Sequence, residues 1–173
     1  MRYFYDTEFI EDGETIELIS IGIVSEEGRE FYAVSTGFDA TRANPWVREN
    51  VLDKLPSPNQ HEWLSNEQIR DQLVDFLLYD DGNRVDNVEL WAWVGAYDHV
   101  VFAQLFGDMA ALPKSFPRYT RELKQYWEFA GRPALPRIPK GNHDALVDAR
   151  HNLQKFRAIQ RVLPLGKNNR ILR

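Results

Sequence analysis

The pattern of apolar and polar positions divides the chain into a run of strands followed by alternating strands and helices. Residues 2–7 and the stretch "ETIELISIGIVSEEGREFYAVST" are rich in Ile, Val, Phe and Tyr, and a turn at Glu26-Glu27-Gly28 divides the second stretch. This pattern predicts a three-strand meander. Residues 38–63 interrupt it with "NPW" and "LPSPNQ", which predict a short helix and an irregular connection.

The later part of the chain alternates between the two periodicities. A helix is predicted from Ser65 to about Leu78, because Ser65 begins a capping signal and apolar residues then recur at helical spacing. The stretch "VELWAWV" predicts a buried strand, and "YDHVVFAQLF" predicts the helix after it. Further helices are predicted over residues 120–130 and 144–163. We therefore expect an α/β fold with a mixed sheet and helices on both faces.

Composition limits the architecture and the chemistry. With 173 residues, 43% of them hydrophobic, the chain has material for a single domain spanning residues 1–173. It contains no cysteine, so any metal ion must be held by carboxylates, imidazoles or water. The stretch "MRYFYDTEF" lacks the pattern of a signal peptide, and no apolar run approaches the roughly 18 residues that a membrane span needs. We expect a soluble, cytoplasmic protein without a membrane partner.

The net charge of −5 hides a strong asymmetry along the chain. Residues 1–110 contain 7 Lys and Arg against 22 Asp and Glu, whereas residues 111–173 contain 14 against 4. Such asymmetry is typical of an acidic metal site beside a basic path for a polyanion, and equally of an acidic surface with a basic tail. Charge alone leaves both interpretations open.

Two acidic residues are predicted to close the first strand. Asp6 and Glu8 are two positions apart, so their side chains share a face of the strand at a separation of roughly 7 Å. They follow aromatic residues and precede Phe9-Ile10, and carboxylates in such apolar surroundings require a cationic partner. A chain this acidic also produces such pairs by chance, so the pair alone is a weak motif.

Two further acidic candidates lie at the beginnings of helices. Asp98 follows the predicted buried strand, where ligands bind in open α/β sheets, but it also suits the N-cap of the next helix. In "GNHDALVDAR", Asp148 lies about 90° from the middle of the apolar stripe of the last helix and therefore borders the core. Asp144 lies about 130° away and is explained by the first helical turn alone. His143 precedes the helix and is free to reach over the sheet.

The ordered set of Asp6-x-Glu8, Asp98 and His143-x-x-x-x-Asp148 resembles the DEDDh family of 3′-to-5′ exonucleases. The stretches "RYFYDTEFIEDGETIELISIGIV", "ELWAWVGAYDHV" and "HDALVDAR" look similar to a small branch of that family, the polyadenylate-specific 3′-exoribonuclease AS. The resemblance covers nearly the whole chain. This chain differs from the wider family at two places. Many members have a glycine soon after the first motif and an asparagine shortly before the second-motif aspartate, whereas this chain has Phe9-Ile10-Glu11-Asp12-Gly13 and Val94-Gly95-Ala96-Tyr97.

The resemblance implies an RNase H-like fold, a homodimer, two Mg²⁺ or Mn²⁺ ions, and single-stranded RNA with a free 3′ end and a 3′ adenylate tract as substrate. It implies that Asp6, Glu8, Asp98 and Asp148 bind the metal ions and that His143 is the general base. This inventory suits two-metal hydrolysis of a phosphodiester, which releases 5′ mononucleotides. Alternatives with the same site are an oligoribonuclease and a single-stranded DNA exonuclease. A non-catalytic RNA-binding domain is a third alternative.

Recognition of a flexible strand calls for aromatic side chains that stack on bases and for basic side chains that contact phosphates. Phe9 is the favoured substrate-binding candidate because it follows Glu8 directly, and Tyr97 is the second. The other candidates are less specific. The remaining aromatic candidates are Trp46, Trp63 and Tyr126, and the basic ones are Arg118, Arg121, Lys124, Arg137 and Lys140.

Overall fold

The computed structural model describes residues 1–108 and 110–165. Its strands and helices alternate along much of the chain, with two 3₁₀ turns beside the first helix. The elements are β1 (Arg2–Glu11), β2 (Ile16–Ser25), β3 (Glu30–Ser35), a 3₁₀ turn (Ala40–Arg42), α1 (Pro45–Asn50), a 3₁₀ turn (Leu52–Lys54), β4 (Trp63–Leu64), α2 (Asn66–Leu78), β5 (Tyr79–Asp80), β6 (Asn83–Arg84), β7 (Glu89–Ala92), α3 (Ala96–Gln104), β8 (Arg121–Glu122), α4 (Leu123–Phe129) and α5 (Ala145–Val162).

Six strands form one mixed sheet in the order β4-β3-β2-β1-β7-β8. The meander β1-β2-β3 is antiparallel, whereas β4, β7 and β8 each run parallel to their neighbours. Strands β5 and β6 form a separate two-stranded sheet. The mixed α/β fold predicted from the periodicity is confirmed, and β1 lies inside the sheet between β2 and β7.

The alternating aromatic residues of β1 pack against layers on opposite faces. Tyr5 points toward α3 and contacts Phe102, with ring centroids 6.2 Å apart. Phe4 points toward α5 and contacts Phe156 at 4.9 Å. Helices α2 and α3 cover the first face, and α4 and α5 cover the second. The position of Phe4 predicts that Asp6 and Glu8 also face α5, because side chains two residues apart share a face.

Three predicted boundaries were wrong. Strand β1 continues to Glu11, because β2 pairs with it along that length up to the Glu11–Ile16 pair. Strand β7 ends at Ala92, two residues earlier than predicted. The predicted helix over residues 120–130 begins only at Leu123, because Arg121 and Glu122 form an edge strand on β7 that is too short to have a readable periodicity.

Residues 38–62 form short elements beside the end of β1 and the start of β2, and residues 63–64 form the edge strand β4. Helix α1 begins after Asn44, whose side chain accepts a hydrogen bond from the backbone N–H of Val47, with Pro45 in the first turn. Val47 and Ala43 pack with Ile10 in a separate buried cluster. The predicted short helix is confirmed, but β4 and the 3₁₀ turns were not predicted.

The last helix agrees with its prediction within one residue at each end. Among the described residues, no helix combines the length and the apolar character that a membrane span requires. The basic residues at the end of the chain, Lys167, Arg170 and Arg173, lie outside the described residues.

Candidate active site

Asp6 and Glu8 lie inside β1, and the prediction that they close the strand was wrong. Strand β7 pairs with β1 only as far as Phe4, so the later part of β1 has an open edge on that side. The pairing of β1 with β2 shifts register between Glu8 and Phe9, which marks a β-bulge. Glu8 is buried and Asp6 is half-buried at this open edge. The divergence of β7 therefore creates a cleft beside both carboxylates.

Asp98 links α3 to β1. Helix α3 begins after Gly95, so Asp98 lies in the first turn and is not the N-cap. Its Oδ1 accepts hydrogen bonds from the backbone N–H and the hydroxyl of Thr7, at 2.8 and 2.7 Å. Because Thr7 stands between Asp6 and Glu8 in β1, these two bonds bring the three acidic residues to one place. Asp98 is 7% exposed.

The loop before α3 is held by the edge strand that the sequence did not reveal. The carboxylate of Glu122 accepts hydrogen bonds from the backbone N–H groups of Val94 and Gly95, at 2.8 and 3.0 Å. Val94 has a φ of 59°, the left-handed region that a branched residue rarely adopts, so this loop needs such support. Glu122 thereby positions the start of α3, which carries Asp98.

The start of α5 brings the remaining candidates to the same cleft. Asp144 was predicted in the first turn of the helix, but it is the N-cap, one residue earlier. Its side chain accepts hydrogen bonds from the backbone N–H groups of Leu146 and Val147, each at 3.0 Å. The carboxylate of Asp148 accepts a hydrogen bond from the backbone N–H of His143 at 2.7 Å. His143 has a φ of 64°, which turns the chain sharply before the helix.

A glycine in β2 sets the distance between α5 and the sheet. Gly22 pairs with Asp6 across the β1–β2 ladder. A methyl group on Gly22 would overlap the backbone of Ala145 and Leu146, so the first turn of α5 lies directly on this position. The absence of a side chain lets His143 and the first turn of α5 approach the carboxylates of β1.

The four carboxylates repel one another in a poorly solvated place. Burial, and then the charges of Asp98, Glu8 and Asp148, raise the pKa of Asp6 well above its usual range. Burial, Asp148 and Asp98 raise the pKa of Glu8 to about 8. Burial raises the pKa of Asp98 to about 6, against the opposing effect of its bonds to Thr7. A cluster of this kind favours a bound cation.

The arrangement fits divalent metal ions. Glu8, His143 and Asp148 each offer a ligand atom, and these atoms all lie within 4.8 Å of one another. Carboxylate oxygens are the ligands that Mg²⁺ and Mn²⁺ prefer, and the chain has no thiolate to compete with them. Asp6, Glu8, Asp98, His143 and Asp148 line a single cleft of about 290 Å³. The structure therefore brings together all five residues predicted for the chemistry.

The two predicted substrate-binding residues form a stacked pair. The rings of Phe9 and Tyr97 lie nearly parallel, with centroids 5.7 Å apart and an interplanar angle of 12°. Phe9 lines the cleft, and Tyr97 is 56% exposed. An open aromatic face next to the carboxylates is suited to stacking on a base.

Other predicted contact residues have different surroundings. Trp46 lies edge-on against His143, whereas Trp63 stacks on Phe38 and Tyr126 is buried in the core. The prediction that Tyr126 stacks on a base was wrong, because its ring is buried in the core and has no face open to a base. The basic candidates differ as well: Arg121 forms an ion pair with Glu89, Arg118 donates a hydrogen bond to the carbonyl of Leu112, and Lys124, Arg137 and Lys140 are exposed.

Sequence reasoning missed four residues that line the same cleft. They are Thr7, Trp93, Asn152 and Lys155. Asn152 and Lys155 follow Asp148 by four and seven positions, so they share its helix face, and this spacing was a usable signal. Gly22 had no such signal, because its role depends on a helix that lies more than 120 positions later in the chain.

Comparison with solved structures places the fold in a class. Exonuclease I superposes with a TM-score of 0.66 at 13% identity, over 94% of this chain and 41% of that one. A zinc-bound E. coli exonuclease I complex with single-stranded DNA gives 0.60 at 12% identity, with the same coverage. S. pombe Pop2p, in a form bound to Mg²⁺ and Mn²⁺, gives 0.52 at 13% identity, over 92% of this chain and 82% of that one. The mixed sheet and its helices have the RNase H-like fold of DEDD exonucleases, and this chain spans about two-fifths of exonuclease I.

The sequence then narrows the class to a family. This chain belongs to the Rv2179c-like 3′-5′ exoribonuclease domain family, whose sequence pattern matches residues 1–160. The 3′-5′ exoribonuclease Rv2179c of Mycobacterium tuberculosis strain H37Rv is 62% identical over 159 residues, which cover 92% of this chain and 93% of the relative. The exoribonuclease MT2234.1 of strain CDC 1551 gives the same values.

Proposed function

We propose that this protein is a metal-dependent 3′-to-5′ exoribonuclease that releases 5′ mononucleotides from the free 3′ end of single-stranded RNA. The observation that carries the proposal is the gathering of Asp6, Glu8, Asp98, His143 and Asp148 around one cleft. Family membership supports the same activity. It also argues against a non-catalytic RNA-binding domain, and we propose that the whole chain acts as one exonuclease domain.

In this proposal Asp6, Glu8, Asp98 and Asp148 hold two divalent ions, Mg²⁺ or Mn²⁺. The raised pKa values of Asp6, Glu8 and Asp98 fit that task. When bound, such ions stabilise charge on the attacking and leaving oxygens of a phosphodiester. Pop2p, which shares the fold, was solved with Mg²⁺ and Mn²⁺, and this supports the choice of metals.

His143 takes the proton of the attacking water in the proposed reaction. The water oxygen bonds to phosphorus and the bond from phosphorus to the 3′ oxygen breaks, so the last nucleotide leaves with a 5′ phosphate. The 3′ oxygen that leaves takes a proton from a solvent water, so the shortened strand ends in a new 3′ hydroxyl. The hydrogen bond from the His143 backbone to Asp148 keeps the imidazole beside the carboxylates. A histidine held in this position suits the transfer, because a ring nitrogen of imidazole can accept a proton from water.

We propose that the preferred substrate ends in an adenylate tract. The stacked Phe9 and Tyr97 supply an aromatic face at the cleft, and stacking favours large bases. The likeness of three sequence stretches to the adenylate-specific branch supports the same preference and also suggests a homodimer. An oligoribonuclease or a single-stranded DNA exonuclease with the same site is the alternative, and the single-stranded DNA complex of E. coli exonuclease I is a reason to test it.

The decisive experiment is mass analysis of the products from a 5′-labelled RNA that ends in adenylates, with Mn²⁺. We expect a ladder with steps of one nucleotide and free AMP. A single internal cut, or no cleavage with any divalent metal, would contradict the proposed reaction. Matched adenylate, uridylate and DNA oligomers test the preference, and equal rates on all three would remove it. Light scattering during size-exclusion chromatography tests the dimer.

A further inference from the structure

Lys155 places a positive charge in the wall of the acidic cleft. It lies seven residues after Asp148 on α5, and its side chain lines the same cleft as the carboxylates. Its Nζ donates a hydrogen bond to Oδ1 of Asn152 at 3.0 Å and lies 4.5 Å from the centre of the Trp93 ring. Asn152 is itself buried, and its side chain donates a hydrogen bond to the backbone carbonyl of Tyr5 at 3.1 Å. The ammonium is therefore held in a defined place.

The side chain of Lys155 is half-buried, and no carboxylate of the described residues forms a close ion pair with it. Burial lowers the pKa of Lys155, while Asp148, Asp6 and Glu122 raise it. Within residues 1–108 and 110–165, however, no carboxylate oxygen forms an ion pair with Nζ within 4.0 Å. The hydrogen bond to Asn152 uses one of the three N–H donors of the ammonium. A half-buried cation that lines a cleft and lies beyond ion-pair distance of the described carboxylates is suited to an anionic ligand.

The strand that enters the cleft supplies such an anion. When the carboxylates hold cations, their charge no longer compensates Lys155, and a phosphate of the RNA is the remaining anion. Lys155 follows Asp148 by seven positions on α5, a rise of roughly 10 Å, so the two side chains contact different groups. A 3′-terminal nucleotide has no phosphate on its 3′ side. The phosphate next to the one that is cut must therefore lie on the 5′ side.

We propose that Lys155, held by Trp93 and Asn152, binds the RNA phosphate immediately 5′ to the scissile linkage. This inference rests on the proposed function, because it takes the strand to lie with its 3′ end at the carboxylates. Lys155 is then a substrate-binding residue that sets which linkage is presented for hydrolysis. The face of Trp93 supports the charge without neutralising it, as cation–π contacts do.

The test pairs a protein charge with a substrate charge. Initial rates with Mn²⁺ are measured on an adenylate RNA with natural linkages and on one whose second linkage from the 3′ end is a neutral methylphosphonate. We expect Lys155→Gln to lower kcat/KM on the natural RNA by roughly tenfold, the usual weight of a hydrogen bond between charged groups. The methylphosphonate should slow the wild type by a similar factor but Lys155→Gln by less than about twofold.

Two control variants sharpen the result. Lys155→Arg keeps the charge and should restore most of the rate and of the sensitivity to the methylphosphonate. Lys114→Gln removes an exposed charge from the connection between α3 and β8, and its effect should be independent of that linkage. The inference is overturned if Lys155→Gln retains the wild-type rate. It is also overturned if the methylphosphonate slows Lys155→Gln as much as the wild type, since Lys155 then only balances the carboxylates.

A binding measurement separates this inference from the proposed function. Both RNAs are also made with a methylphosphonate at the terminal linkage, which blocks cleavage there, and their affinities are measured by fluorescence anisotropy. If the methylphosphonate at the second linkage weakens RNA binding by the wild type but not by Lys155→Gln, the phosphate contact is supported. This result holds even if the protein does not cut RNA. Cleavage of natural RNA without any coupling supports the exonuclease and overturns the role of Lys155.

Discussion

The indole of Trp46 lies edge-on against the imidazole of His143, with ring centroids 4.8 Å apart and an interplanar angle of 81°. Trp46 belongs to α1, in the segment of residues 38–64 that the sequence did not resolve. From the same segment, Nζ of Lys54 donates a hydrogen bond to the carbonyl of Asn142 at 2.6 Å. These two contacts hold the loop before α5 from its outer side, so the segment limits the positions open to His143.

We expect Trp46→Leu to lower kcat by roughly tenfold with little change in KM. Without the indole contact the imidazole of His143 spends less time in the position that accepts the proton, while the affinity for RNA is unchanged. Trp46→Phe keeps an aromatic edge and should retain most of the activity. Phe129→Leu, at an 80% exposed position on α4, is the control. A rise in KM with unchanged kcat would show instead that Trp46 contacts the substrate. Steady-state kinetics on an adenylate RNA distinguishes the two results.

The motif around the start of α5 offers a matched pair of aspartates. Asp148→Asn removes a proposed metal ligand and should lower activity by at least about a hundredfold. Asp144→Asn removes a charge four residues earlier but keeps a good N-cap, so it should stay within about threefold of the wild type. Nuclease rates and circular dichroism on both variants provide the measurement. Full activity of Asp148→Asn would contradict the proposed metal site.

Replacement of the proposed base should act on the chemical step. We expect His143→Ala to lower kcat by about 10²- to 10⁴-fold, the usual contribution of general base catalysis. His61→Ala is the control, because the side chain of His61 is 93% exposed. If His143→Ala cleaves RNA at the wild-type rate, another group accepts the proton.

The close approach at Gly22 should link stability to activity. Gly22→Ala forces the first turn of α5 away from β2, and we expect it to lower the free energy of unfolding by about 1–3 kcal/mol. It should also lower activity more than tenfold, because His143 and Asp148 move with that turn. Ile21→Val is the control. It removes one methyl group from a buried neighbour and should lower the free energy of unfolding by about 0.5–1.5 kcal/mol, but it leaves α5 in place. Equal activity of the two variants at a temperature where both are folded would contradict this role.

The stability of the metal-free protein should depend on pH through Glu8. Its pKa is about 8 in the folded protein, against an ordinary value of 4.5. The folded state therefore holds the proton more tightly, and the stability that Glu8 contributes below pH 4.5 is lost as the pH rises through 8. We expect the Tm of the metal-free protein to fall over this range. Differential scanning fluorimetry with EDTA provides the measurement.

Excess Mn²⁺ should raise Tm more at pH 8 than at pH 6, because metal ligands must lose their protons to bind. Glu8→Gln should flatten the metal-free profile, since glutamine does not titrate. A Tm that is independent of both pH and Mn²⁺ would argue against a strained carboxylate cluster at this place.

Local chemistry allowed the elements and the main site residues to be predicted. The alternation of Tyr3, Phe4 and Tyr5 indicates a strand between two packed layers, and the acidic residue Asp144 with the apolar stripe after it indicates where the last helix begins. Asp148 borders the core where the wheel places it. These features depend on residues close together in the chain, so neighbouring residue types are enough to reveal them.

Contacts between distant residues were decided by the tertiary structure. The absence of a side chain at Gly22, the edge strand containing Glu122, the bonds from Thr7 to Asp98 and the enclosure of Lys155 beside Trp93 all join separate parts of the chain. No periodicity encodes them, because packing of the whole sheet against its helices sets how closely the elements approach. The sequence by itself therefore determined which side chains are available for the chemistry, and tertiary packing decided which of them share a cleft.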